Sequence, residues 1–198
     1  LNKKIQSVIN DAIKKGENPS KAIQRATRSE GINKVLQGNP DKSKIETWVE
    51  KEFQPGNGES RKDYILRKTF KETKYAGADQ KDIGWWKIAN KDNSIAAGIR
   101  LGDEAVGSDK LGHFFVDGAI YKNLRDKKGI SHAESTYDYM EKSYQGLGVS
   151  GVYSNADLEA NRSGAEFYTD LDKGYKNYLK EKKSNENATI THFCLIFS

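Results

Sequence analysis

The chain has 198 residues, of which 35% are apolar and 31% charged, with a formal net charge of +5. Ten Tyr, seven Phe and three Trp supply enough bulky core material to exclude wholesale disorder. Cys194 is the only cysteine, which excludes an internal disulfide framework, and no apolar run approaches the roughly 20 residues that span a bilayer. The length allows one domain with an accessory arm. The basic excess admits an anionic partner (envelope polymer, lipid surface or nucleic acid), although Lys is spread along the chain rather than gathered in one block. No secretory leader is read at the start, and Leu1 in place of Met is expected of a trimmed or excised segment; the composition predicts a soluble chain.

The first 53 residues read as short amphipathic helices. Ile5, Val8, Ile9, Ala12 and Ile13 follow the i, i+3, i+4, i+7, i+8 stripe. Asn18 before Pro19 is a cap followed by a proline suited to the first helical position. The next helix carries Ile23, Ala26, Ile32, Val35 and Leu36, with Gly31 as a weak point. Ser43 and Glu46 match a capping box, and Ile45, Trp48, Val49 and Phe53 then share a face. The stretch QPGNGES, residues 54–60, is the clearest linker. Residues 1–53 are therefore expected to form a helical arm or subdomain, and 61–198 the main helical domain carrying a polar site.

Ser60 can cap a helix running to about Tyr75. The segment AAGIRLGDEAVG, punctuated by Gly98, Gly102 and Gly107, reads as a loop. Helices follow over about 108–126 and 131–145, then a Gly-rich turn and a long helix over about 155–181. The tail ATITHFCLIF allows at most a minor strand at the C-terminus. The expected class is mainly α, a compact helical domain with helices 108–126 and 155–181 packed at its centre.

The stretch GSDKLGHFFVDG concentrates the chemistry. Ser108 is read as an N-cap with Asp109 in the first turn, favoured by the helix dipole. Asp109, His113 and Asp117 fall one turn apart along one face. Leu111, Phe114, Phe115 and Tyr121 make the same helix apolar nearly all round, so its polar groups need partners. An imidazole held by a carboxylate is the arrangement of general acid–base chemistry and of metal ligation. His113 is the candidate acid–base group and Asp109 its orienting partner. Lys110 is expected to face solvent or, if drawn in, to contact an anionic or carbonyl oxygen. The structural alternative is a core histidine bonded to Asp109 or Asp117.

The stretch VYSNADLEANRSGAEFY is the second candidate. Ser154 and Asp157 fit a capping pattern, and Asp157, Asn161, Gly164 and Tyr168 then line one face. Glycine inside a helix costs about 1 kcal/mol, so Gly164 points to a close neighbour. Tyr153, Asn155, Asp157 and Asn161 are the candidate substrate contacts. The triplets NRS (161–163) and NAT (187–189) match glycosylation acceptors, a frequent chance pattern.

His132 reads as an exposed residue near a helix start, and a His192-x-Cys194 pair without further ligands is no zinc site. Neither cofactor nor metal is expected, one histidine being thin for zinc. The donor set of Asp109, His113, Asp117 and Asp157 is the residual route to a hard or borderline divalent ion. No phosphate loop, nucleophile elbow or HExxH motif occurs.

SDKLGHFFVDG resembles the Asp-Lys-x-x-His-Phe signature of VanZ-like proteins and of certain bacterial envelope lipoproteins, with Asp109, Lys110, His113 and Phe114 at the matching positions. VYSNADLEANRSGAEFY resembles a second block in bacterial exported proteins of that kind. The likeness spans about residues 100–171, and the chain departs from VanZ-like proteins in lacking their membrane spans. It implies a secreted or envelope-associated location but no reaction. The layout, a helical front before a polar-site domain, is similar to effector segments of bacterial polymorphic toxins, which would imply an immunity protein as partner. The expectation is an exported or effector-type domain, a hydrolase using His113; the alternative is a non-catalytic envelope scaffold in which Asp109–His113 is structural.

Overall fold

The apolar stripe at the start of the chain becomes α1 (Asn2–Lys14), which buries Ile5, Ile9, Ala12 and Ile13. The computed structural model describes residues 1–28, 43–50, 96–101, 104–143, 146–147 and 153–184. Expectations for Ile32, Val35, Leu36, Phe53, the 54–60 linker, the helix after Ser60 and the tail with His192 and Cys194 lie outside them. In α2 (Pro19–Thr27) the Asn18 side chain accepts from the Lys21 N–H and Pro19 occupies the first position, as the spacing predicts. In α3 (Lys44–Glu50) the capping box forms in both directions: Glu46 N–H donates to Ser43 Oγ and Ser43 N–H to Glu46 Oε1. The Lys4 ammonium lies 3.7 Å from the Trp48 ring centroid and ties α1 to α3.

Residues 98–101 and 104–107 correct the expected loop. They form a hairpin of β1 (Gly98–Leu101) and β2 (Glu104–Gly107), pairing Ile99 with Val106 and Leu101 with Glu104. Alternation over so few residues is a faint signal among glycines, and the packing of Ile99 on the core secures it. Ser108 is corrected too. It makes no side-chain cap; its N–H donates to the Ala97 carbonyl and its Oγ accepts from the Ala97 N–H, locking the hairpin to the helix that follows.

That helix runs unbroken through α4 (Asp109–Gly112), a π-turn (His113–Asp117) and α5 (Gly118–Lys128). Gly129, at φ +88°, separates it from α6 (Ile130–Lys142). The 30-residue α7 (Asn155–Ser184) follows, and Asp157 N–H donates to Ser154 Oγ at its start. Apart from the small hairpin, the regular elements among the described residues are helices.

The principal core joins both ends of the chain. Ile5, Ile9, Ile13, Ile23 and Ile45 pack with Leu111, Phe115, Phe167, Tyr168, Leu171 and Tyr175 in one cluster. The described helices before residue 53 therefore share their core with α4, the π-turn, α5 and α7. A second cluster of Tyr121, Ala133, Tyr137, Leu158 and Ala165 fixes α6 against the central pair.

The central pair crosses at two glycines. A side chain on Gly164 would begin 2.0 Å from the Phe114 carbonyl oxygen, and one on Gly118 2.7 Å from the Gly164 Cα. Both residues must lack a Cβ, because backbone meets backbone there.

Candidate functional site: a buried ionic cluster at a helix crossing

The π-turn sets the site. The Gly118 N–H bonds to the His113 carbonyl, five residues back, so one extra residue widens the turn. Carbonyls displaced from α-helical pairing need other donors. Tyr168 Oη donates to the Phe115 carbonyl at 2.7 Å, and Tyr137 Oη to the Asp117 carbonyl at 3.2 Å.

His113 is held on both ring nitrogens. Nδ1 lies 3.3 Å from Asp117 Oδ2 and 3.2 Å from Asn161 Oδ1. Facing two oxygens, Nδ1 is placed to donate to them when it carries a proton. Nε2 lies 3.5 Å from Asp157 Oδ2. The other oxygen of Asp157 pairs with the Lys110 ammonium, which also bonds Asp109 Oδ2 at 2.8 Å. Asp109 Oδ1 accepts the Lys110 N–H.

The chain thus brings together Asp109, Lys110, His113, Asp117, Asp157 and Asn161, from the start of α4, the π-turn and the first turns of α7. Two expected roles change hands. Asp117 and Asn161 orient the imidazole, whereas Asp109 is spent on Lys110. Lys110 turns inward, its side chain 17% exposed and set between two carboxylates, rather than out to solvent. Tyr153 and Asn155 do not join the cluster. They line a shallow cleft with Glu134, Asp138, Leu158 and Arg162, where Tyr153 Oη donates to Asp138 Oδ1.

Glu141 is the residue that sequence reasoning missed. It is 2% exposed, accepts the Ser154 N–H at Oε1 and lies in the field of Asp157, His113 and Lys110. The signal was present: Ala133, Tyr137 and Glu141 fall at i, i+4, i+8 on the buried face of α6, an apolar stripe ending on an acid.

Burial works against every charge here. It pushes the His113 imidazolium down, but the carboxylates of Asp157, Asp117 and Asp109 outweigh it and hold the ring above the ordinary histidine range. Burial likewise opposes the Lys110 ammonium, which Asp109 and Asp157 more than restore. Asp117 is raised by burial and by Asp157, against the pull of His113. Burial and Asp157 raise Glu141. The cluster's carboxylates outnumber its cations.

Compared with protein families, curated proteins and solved structures, the chain matches none. Among the described residues, no helix is long and apolar enough to cross a membrane.

Proposed function

We propose that this chain is a bacterial exported or effector-type domain and that the ionic cluster is its hydrolytic centre. The observation that carries the reading is the double clamp on His113, with Asp117 and Asn161 at Nδ1 and Asp157 at Nε2. An imidazole held at both ring nitrogens beside carboxylates suits general acid–base catalysis. In this reading His113 moves the proton, Asp117 and Asn161 orient the ring, and Lys110 with Asp157 sets its charge. The carboxylates around the ring raise its proton affinity above that of an ordinary histidine. The resemblance of both sequence blocks to envelope-associated bacterial proteins supports the exported setting, and envelope polymer, lipid and nucleic acid are the substrate classes it meets there.

Expression in a bacterial host, once retained in the cytoplasm and once directed outward, tests this. Wild type is expected to slow growth in one setting, and His113→Ala to relieve it. Equal growth of both proteins in both settings removes the toxic-hydrolase reading.

A scaffold reading has its own support, since Asn161 and Glu141 are almost wholly buried and the cluster joins α4 to α7. Removing one partner of a buried ionic pair costs ~3–5 kcal/mol, whereas catalytic groups are often replaced with little loss of stability. A collapse of the melting temperature in His113→Ala, without a growth phenotype, selects the scaffold.

A further inference from the structure

We propose that Asp109, His113 and Asp157 bind one divalent cation of the manganese–zinc kind. Each offers one donor atom, and these atoms lie within 4.8 Å of one another. One imidazole nitrogen with carboxylate oxygens suits an ion of hard to borderline character.

The far side of the ring supplies an independent argument. With Nδ1 turned to Asp117 and Asn161, Nε2 is the ring atom that faces Asp157 Oδ2. Their separation of 3.5 Å exceeds the ~2.7–2.9 Å of a charge-assisted hydrogen bond. Two ligands held about 2.0–2.2 Å from a common ion stand roughly 3–3.6 Å apart. A carboxylate and a carbonyl oxygen on the other ring nitrogen are the usual support of a metal-bound histidine.

Charge points the same way. Asp157 is 7% exposed, and its Oδ1 is fully buried against the Lys110 ammonium. Asp109, Asp117, Asp157 and Glu141 gather around one lysine and one histidine, an excess of acidic groups over cationic ones. Lys110 stands in part for the divalent cation and competes with it. A bound cation would supply Lewis-acid chemistry at this cluster, with Asp109, His113 and Asp157 holding it. The inference does not depend on the hydrolytic reading, because binding is measured without turnover.

Calorimetric titration of the full, chelator-treated chain with Mn²⁺ tests it; zinc is set aside because His192 and Cys194 offer it nitrogen and sulfur. One Mn²⁺ per chain is expected. Asp117→Asn should weaken binding about 10- to 100-fold, and His113→Ala or Asp157→Asn by more. Lys110→Met keeps all three ligands and removes the competing charge, so it should bind at least about tenfold more tightly. Should His113→Ala fail to fold, Lys110→Met decides. Absence of saturable binding at millimolar Mn²⁺, or an affinity that Lys110→Met leaves unchanged or lowers, overturns the proposal.

Discussion

The Phe114 carbonyl oxygen occupies the space where a side chain on Gly164 would begin, 2.0 Å from the position of its Cβ. Phe114 is the second residue of the π-turn, so this contact couples the closest approach of two helices to the backbone that presents His113. Gly164→Ala should therefore be destabilising, although alanine is favoured over glycine in a helix interior by about 1 kcal/mol. Overpacking of this kind typically costs ~1–3 kcal/mol, and neither backbone can yield without moving the other. Chemical denaturation measures the difference. A Gly164→Ala protein more stable than wild type would show that the helices can separate freely here.

Tyr168→Phe isolates the bond that supports the wide turn. It leaves the buried Phe115 carbonyl without the hydroxyl that reaches it, at a cost of about 1–3 kcal/mol. The ring itself packs edge-on to Phe167, with centroids 5.1 Å apart, and should stay in place. Denaturant midpoints of wild type and Tyr168→Phe read the loss. An unchanged midpoint would mean that the hydroxyl carries no net stabilisation.

Stability should fall as pH rises through neutrality. His113, Asp117 and Glu141 all hold their protons more tightly in the folded chain than at their ordinary values of 6.5, 3.8 and 4.5. For such groups the folded state binds more protons, so stabilisation is full below the unfolded value and is lost as pH climbs through the folded one. The His113 window opens at 6.5 and extends upward; those of Asp117 and Glu141 open at 3.8 and 4.5. Asp126, lowered by Lys122, pulls the other way on further acidification, but an exposed pair of this kind contributes little. Thermal melts between about pH 5 and pH 8.5 should show the higher midpoint at the acid end. His113→Gln should flatten the upper part of that slope. A midpoint that rises steadily with pH would contradict the assignment.

Glu141→Gln and Glu141→Leu separate charge from hydrogen bonding. Gln removes a buried negative charge beside Asp157 yet can still accept the Ser154 N–H. At pH 8 it should match or exceed wild type, with the difference shrinking as the pH falls and Glu141 takes up its proton. Leu discards the acceptor as well and should cost ~1–3 kcal/mol throughout. Equal melting curves for both variants at every pH would show that Glu141 is not coupled to the cluster.

How much of this the residues disclosed depends on the range of each interaction. Local chemistry was readable: the Asn18–Pro19 and Ser43–Glu46 helix starts, the stripe of α1, and the four-residue spacing that sets Asp117 beside His113. Gly164 was readable as a close approach, because a glycine in a helix interior lacks a local reason. The π-turn was not, since an inserted residue changes the hydrogen-bond partner without changing composition. Nor was the inward turn of Lys110, which arises only when α7 delivers Asp157 from 47 residues further along the chain. Glu141 was obscured by its type: glutamate on a helix is usually solvated, and only its place on the apolar stripe betrays it.

The bonds between the first helices and the last carry a consequence for the order of assembly. Tyr175 Oη donates to the Gly16 carbonyl across 159 positions, and Ser20 Oγ to Asp172 Oδ1 across 152. During synthesis the isoleucines of α1 and α2 have no Phe167, Leu171 or Tyr175 to cover them until most of the chain has been made. Contacts of such long range are costly to close and slow to form, so this apolar face stays incompletely covered until α7 has been made. That interval, more than the finished core, is when this protein is most exposed to chaperones and to proteolysis.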